Sequence, residues 1–413
     1  MAPTPSISSD STSNPARLLA AEELLSTLQL TLTPGLGPVL TRRLTDAFGT
    51  ATRARKASAG ALQTIDGIGK SKAESIARAI PLAAEAAQRE LEICHASNIT
   101  ILSRTTPGYP TLLAQLPDAP PLLFCKGTLP QEPLSPTNPG NPSIAIVGSR
   151  DCSAYGIDQA ARLSALLTQA GLTIVSGGAR GIDTAAHRSA VQVKGRTLVV
   201  MGCGLGHVYP PENEALFQQI VNEGLGAIIS EFPFGTAPVP ENFPKRNRII
   251  SGLSLGVLVI EAAARSGALI TARIAADHGR EVMAIPGRVD SPYSIGSNDL
   301  IKSGGAHFVT EANDILSILE SPARRVSNPP VVQPNHQTSP LFQTQPPTPA
   351  VAPAPPTQPS TPDHPILLAL SEPRTIDQLL ECTGLPIHQL RSQLTLLEMQ
   401  RRVVREGSRF RRP

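Results

Sequence analysis

The stretch SIAIVGSRDCSAYGIDQAARLSALLTQAGLTIVSGGARGIDTAAH, residues 143–187, decides the fold of this chain. Two short apolar runs, SIAIVG and LTIVSGG, flank a segment whose apolar residues recur at helical spacing. A strand apolar at every position is buried on both faces, and a helical crossover between two such strands makes them parallel. The same alternation continues outward through RTLVVMG (196–202), GAIIS (226–230), LGVLVIEA (255–262) and EVMAIPG (281–287), each followed by glycine or a polar turn. The pattern predicts an α/β, Rossmann-like parallel sheet with helices on both faces, spanning residues 143–320.

On either side of this core the composition changes. At 413 residues and 40% hydrophobic content the chain can fill more than one core, while 41 prolines call for at least one extended connector. Residues 1–16 are polar and read as a disordered tail. From 17 to 104, Leu18, Leu19, Leu24, Leu25, Leu28, Ile76, Ile80 and Leu91 recur at helical spacing, predicting a small helical domain. A proline-rich connector follows at 105–142, with the apolar block Pro121–Phe124 fit for a short strand packed on the next domain. Positions 321–364, dominated by Pro, Gln, Thr and Ser, predict a long linker. Residues 365–413 resume helical patterning and predict a third domain.

Several function classes drop out early. Five scattered cysteines show no CxxC and no zinc spacing, so neither a disulfide framework nor a metal is expected. No run of about eighteen apolar residues exists and the opening lacks a secretory pattern, so a cytoplasmic protein without a membrane partner is expected. Net charge is only +3, so any polyanion site depends on where the basic residues cluster. With 3% aromatics and no Trp, such a site would rely on backbone amides, Arg and Lys.

Within the helical domain, Ile65-Asp66-Gly67-Ile68-Gly69-Lys70-Ser71-Lys72 and Thr33-Pro34-Gly35-Leu36-Gly37-Pro38 are two copies of a Gly-x-Gly turn opening a helix, as in helix-hairpin-helix units. Lys70 and Lys72 favour phosphate contact in one copy, whereas Pro38 removes an amide from the other. A plain helical scaffold explains the glycines equally well. Gly69-Lys70-Ser71 is not a P-loop, because Thr64 stands where that motif needs glycine.

In the central region the strand-end turns are the candidate ligand edge. They comprise Gly148-Ser149-Arg150, the amide-rich Ser176-Gly177-Gly178-Ala179-Arg180-Gly181, and Gly202-Cys203-Gly204-Leu205-Gly206. A nest of amides and a helix start suit a phosphate oxygen. GxGxxG is not satisfied, since His207 replaces the last glycine, which disfavours a dinucleotide oxidoreductase. Lys245, Arg246 and Arg248 around Asn247 can neutralise phosphates or form a solvated helix face. Glu261 offers a base or a partner for a nearby Arg; no second carboxylate or metal ligand lies close in sequence, which favours the ion pair. Ser176, His187 and Asp183 make a triad on paper only, for GxSxG is missing.

Taken in order, GSR, SGGARGID, TAAH, GCGL, YP, SEFPFG, FPKRNRIISGLS, EAAARSGALITA and PGRVDSPYSIGSNDLIKSGGA resemble the DNA-processing protein A (DprA/Smf) family over residues 143–319. The resemblance implies a cofactor-free Rossmann-like protein that binds single-stranded DNA, protects incoming strands in natural transformation, forms a homodimer and helps load the RecA recombinase, without catalytic turnover. Carried onto this chain, the DNA pocket would use Arg150, Ser176, Gly177, Gly178, Gly181, Gly204, Leu205, Lys245, Arg246, Asn247, Ser266 and Gly267. The C-terminal domain resembles the family's winged helix, with Thr375–Glu381 and Pro386–Gln400 as helices and Arg401–Arg412 as the wing. From Arg391 onward seven arginines face Glu398 and Glu406, so Arg391, Arg401 and Arg402, with Lys70 and Lys72, are secondary DNA candidates. Two other readings stand beside this one. The first is a nucleotide phosphoribohydrolase of the lysine-decarboxylase-like family, whose PGGxGTxxE motif is absent. The second is an adaptor acting through protein contacts alone.

Overall fold

The computed structural model describes residues 15–130 and 142–327 and, further on, 369, 370, 372, 374–383, 390, 403–406 and 409–411. The expected tail up to 14, positions 131–141 of the connector, linker positions 328–364, and Arg391, Arg401 and Arg402 lie outside the described residues. The chain divides into two compact units, Met1–Gln333 and Pro334–Pro413. No described helix is long and apolar enough to cross a membrane.

The first unit opens with six helices: α1 (Pro15–Thr31), α2 (Pro38–Phe48), α3 (Ala51–Ala54), α4 (Ala59–Gln63), α5 (Lys70–Leu82) and α6 (Ala84–Ala96). The two Gly-x-Gly turns are near-identical copies. Gly35 and Gly67 have φ of +87° and +86°, a backbone region that only glycine adopts freely. Each turn closes with one amide bond, Leu36 N to Thr33 O at 3.1 Å and Ile68 N to Ile65 O at 3.0 Å. Gly37 and Gly69 then start α2 and α5 in extended conformation without a side-chain cap. Leu36, Leu44, Ile65, Ile68, Ile76 and Ile80 fill the core between the copies. Leu18 and Leu19, included in the helical periodicity, are 63% and 67% exposed and join no core.

The stretch read as wholly helical up to 104 ends in a strand, β1 (Thr100–Ser103), antiparallel to β2 (Leu122–Gly127), which contains most of the Pro121–Phe124 block. Ile99, Ile101, Leu122 and Phe124 share a core with Leu28, Ala87 and Cys94. The helical layer is therefore welded to the edge of the sheet.

The remaining elements of this unit are α7 (Thr111–Ala114), β3 (Ser143–Val147), α8 (Ala154–Gln169), β4 (Thr173–Ser176), α9 (Ile182–Gln192), β5 (Thr197–Val200), α10 (Glu214–Asn222), β6 (Gly226–Ser230), α11 (Asn242–Gly252), β7 (Gly256–Val259), α12 (Gly267–Asp277), β8 (Glu281–Ala284), α13 (Ile295–Lys302), β9 (His307–Phe308) and α14 (Ala312–Ser327). The last helix runs past position 321, where the composition had predicted linker. The sheet order is β1-β2-β6-β5-β4-β3-β7-β8-β9; β2 pairs antiparallel with β6, and β3 to β9 are mutually parallel. Alternation along β3 divides its burial: Ile144 and Ile146 pack with Leu163 and Leu167 of α8 and Ala186 of α9, while Ala145 and Val147 pack with Ile249 of α11 and Ala272 of α12. Both faces are covered, as the apolar runs predict.

The order in which strands are added reverses at β3. Strands β4, β5 and β6 add on one side, and β7 and β8 on the other. The loops after β3 and β7 lead to helices on opposite faces, and a crevice opens between them at the carboxyl ends of the strands.

In the second unit, β10 (Arg374–Thr375), α15 (Ile376–Thr383), β11 (Val404–Glu406) and β12 (Arg409–Arg411) form a sheet of order β10-β12-β11. Thr375 and Gln378 start α15 with a reciprocal pair: Thr375 N donates to Gln378 Oε1 at 3.0 Å, and Gln378 N to Thr375 Oγ1 at 3.4 Å. Leu370, Leu379, Leu390, Val403 and Phe410 make its core. The β11–β12 hairpin occupies the expected wing.

Candidate nucleic-acid interface

The crevice has a volume of about 600 Å³ and is built mainly from the β3 loop, the start of α11 and the β7 loop entering α12. Arg150 stands exposed at the end of β3, with its guanidinium carbon 5.3 Å from the centre of the Phe243 ring. That ring in turn packs against Tyr209 at 5.3 Å. Stacking holds Arg150 upright while leaving its N–H groups to solvent. Arg265 is exposed on the facing loop. Next to it Ser266 caps α12, its Oγ accepting from Ala268 N at 3.2 Å, so the positive end of the helix dipole faces the crevice. Asn247, partly buried, adds an amide from α11. Two exposed guanidiniums from opposite walls and a helix start form a cationic trough with an apolar floor.

Two nearly buried charged residues, Arg246 and Asp183, also line the crevice. Arg246 is 4% exposed; Nη1 donates to Gly177 O at 2.7 Å and to Val200 O, and Nε has no partner among the described residues. Burial lowers its pKa to about 10, against the raising effect of Asp183, so it stays protonated at neutral pH. Asp183, 7% exposed in the first turn of α9, accepts from Gly177 N at 3.1 Å and Ala179 N at 3.3 Å. Burial pushes its carboxyl upward, opposed by Arg246 and by those amides.

This corrects the expected phosphate nest. The amides of Gly177 and Ala179 are taken by Asp183, and Arg246 is a core residue holding the β4 and β5 ends together. The nest sits over a helix N-terminus, and a carboxylate six and four residues along the chain from its two amides fills it before any ligand arrives. Ser176 is fully buried and donates to Ile146 O at 2.6 Å. Gly178 leaves no room for a side chain beside Val199 and Phe217, and Gly181 passes close to the carbonyls of Ser149 and Arg150. Gly204 packs on the carbonyls of Pro233 and Phe234, and Leu205 joins apolar cores; neither lines the crevice. These small residues are needed for close packing.

Lys245 is exposed but outside the crevice, its charge felt by Glu231, and Arg248 is paired with Glu231 and with Asp118 at 3.5 Å. Among the described residues Glu261 forms no ion pair; buried, it accepts from Ser153 N at 2.8 Å and Ser153 Oγ at 2.6 Å at the start of α8. His187 is fully buried at 2.7 Å from Thr197 Oγ1, and burial, aided by Arg246, lowers its pKa to about 3. Lys70 and Lys72 are exposed at the start of α5, on the helical layer and outside the crevice.

Of the sequence candidates, the crevice thus gathers Arg150, Arg246, Asn247, Ser266 and Gly267, Arg246 being almost fully buried in its lining. Gly177 borders a small adjoining depression. Sequence reasoning missed Arg265, Phe243 and Tyr209. Arg265 was findable, because like Arg150 it follows a strand end beside small residues; the ring pair joins distant segments and left no local signal.

Comparisons with known proteins agree on one family. A model described as DNA recombination-mediator protein A matches residues 100–320, and one described as DprA winged helix domain matches residues 350–408. Protein Smf of Synechocystis sp. is 36% identical over 395 residues, covering 92% of this chain and 96% of that protein. DNA processing protein DprA of Streptococcus pneumoniae is 44% identical over 212 residues, 51% of this chain and 71% of that one. The X-ray structure of the Streptococcus pneumoniae DNA processing protein A aligns with a TM-score of 0.56 at 33% identity, covering 72% of this chain and 97% of that chain.

Proposed function

The chain belongs to the DNA recombination-mediator protein A family, and on that premise we propose that it binds single-stranded DNA along the crevice at the carboxyl edge of its sheet. The observation that carries this reading is the pair of exposed guanidiniums, Arg150 and Arg265, facing each other across about 600 Å³ beside the start of α12. Their charges would take successive phosphates, and the apolar floor with its Phe243–Tyr209 pair suits unpaired bases. A duplex keeps its bases stacked inside and would gain nothing from that floor.

The role is binding in DNA processing and natural transformation. Two groups that might have served as general bases are otherwise engaged: Glu261 by Ser153, and His187 by burial. Protection of incoming strands, delivery to the RecA recombinase, homodimer formation and a cytoplasmic setting complete the proposal. Lys70 and Lys72 would add backbone contacts, and the wing would add more through Arg391, Arg401 and Arg402.

Fluorescence anisotropy with labelled oligo(dT) and a duplex of equal length tests the reading. Preference for the single strand, lost on joint Arg150→Ala and Arg265→Ala replacement, is expected. Release of free base from nucleoside monophosphates at catalytic protein concentrations would instead favour a phosphoribohydrolase.

A further inference from the structure

In Rossmann-like sheets a glycine turn leading into a helix is the ordinary seat of a nucleotide phosphate. Here that turn, Ser176–Gly181, has its inward amides bound to Asp183 Oδ2, at 3.1 Å from Gly177 N and 3.3 Å from Ala179 N. Arg246 lies beside the same carboxylate and holds Gly177 O at 2.7 Å. An oxyanion on two main-chain amides, next to a guanidinium at a helix start, is the arrangement that a phosphate oxygen would adopt. Asp183 also borders the crevice, with 7% of its surface exposed.

We propose that Asp183 is a built-in phosphate surrogate: by occupying the amide nest with an anion of the chain itself, it bars free mononucleotides from the turn and leaves the outer crevice as the ligand path. The inference goes beyond the DNA reading and does not require it, because it concerns which anion the turn can hold. It makes Asp183 a specificity determinant. Without the carboxylate, a pair of amides and a protonated Arg246 would face the crevice unneutralised, a site for a small tetrahedral anion.

The test uses the full chain and inorganic phosphate as probe. Thermal unfolding of the parent, Asp183→Ala and Asp183→Asn is followed in phosphate and in chloride at matched ionic strength. Asp183→Ala is expected to be destabilised in chloride and to gain about 3 °C or more from phosphate at ten times its dissociation constant, beyond the parent's own response. Asp183→Asn keeps the nest filled and should respond as the parent does. Titration of Asp183→Ala with phosphate should give a saturable ³¹P line shift that the parent lacks. Equal phosphate increments in Asp183→Ala and the parent overturn the proposal. A variant that remains unfolded in both buffers counts against it equally, since phosphate has then failed to replace the carboxylate. Loss of DNA binding by Arg150→Ala, or its retention, leaves this outcome untouched, so failure of one idea is distinguishable from failure of the other.

Discussion

Arg150 and Arg265 carry the function at the scale of single residues. Both are exposed and line one crevice, and neither is committed to a carboxylate by a described ion pair. Replacing either with Ala should weaken oligo(dT) binding whatever its sequence, and reduce the slope of log K against log salt by about 0.7 per lost phosphate. An unchanged slope in both variants would remove the crevice from the binding path. His187 makes a second prediction. Thr197 Oγ1 donates to Ile174 O at 2.9 Å, so it accepts from His187 Nδ1, and Nε2 has no partner among the described residues. The folded ring takes a proton only near 3, the unfolded ring near 6.5. Between those values the unfolded chain binds more protons, so stability falls as pH drops through that window, by up to about 1.4 kcal/mol per pH unit. Above it the group has no effect. Urea midpoints of the parent and His187→Gln between pH 7 and pH 4.5 should diverge, with the flatter profile in the variant; parallel profiles would mean that His187 titrates normally.

At the scale of elements, α11 separates two neighbours that composition treats alike. Successive helix positions lie about 100° apart, so Lys245 faces solvent while Arg246 points under the sheet edge. Lys245→Ala should change stability by less than about 0.5 kcal/mol. Arg246→Ala should cost about 2–5 kcal/mol, because it strands two buried carbonyls and removes the charge that offsets the burial of Asp183. Chemical denaturation of both variants checks the contrast; similar losses would contradict the burial described for Arg246. The charge run was legible from sequence, but its division into one core cation, one paired cation and one free cation depends on what faces each side of the helix. In the helical layer the reverse holds. The two Gly-x-Gly turns read from sequence fold into matching geometry, because a positive φ is a local demand that local residues meet. Gly67→Ala should cost about 1–2 kcal/mol through that φ alone, measurable as a lowered urea midpoint.

At the scale of the whole molecule, the chain has two units. The helical layer belongs to the first, since its core continues through β1 and β2 into the sheet. Residues 1–333 alone should therefore melt at the temperature of the full chain's main transition, and the helical layer should melt with the sheet in one step. A separate early transition for the helical layer would contradict that continuity. Comparing oligo(dT) affinity with and without residues 334–413 then assigns the share of binding that the winged-helix unit contributes.

What the sequence determined is the architecture: apolar runs of fixed period and glycine turns at strand ends act between near neighbours in the chain, and period and turn chemistry are local properties. The tertiary structure alone decided which strand-end groups meet a ligand. Arg246 sinking against the turn and Arg265 rising opposite Arg150 are outcomes of strand order and helix rotation, which bring together residues tens of positions apart.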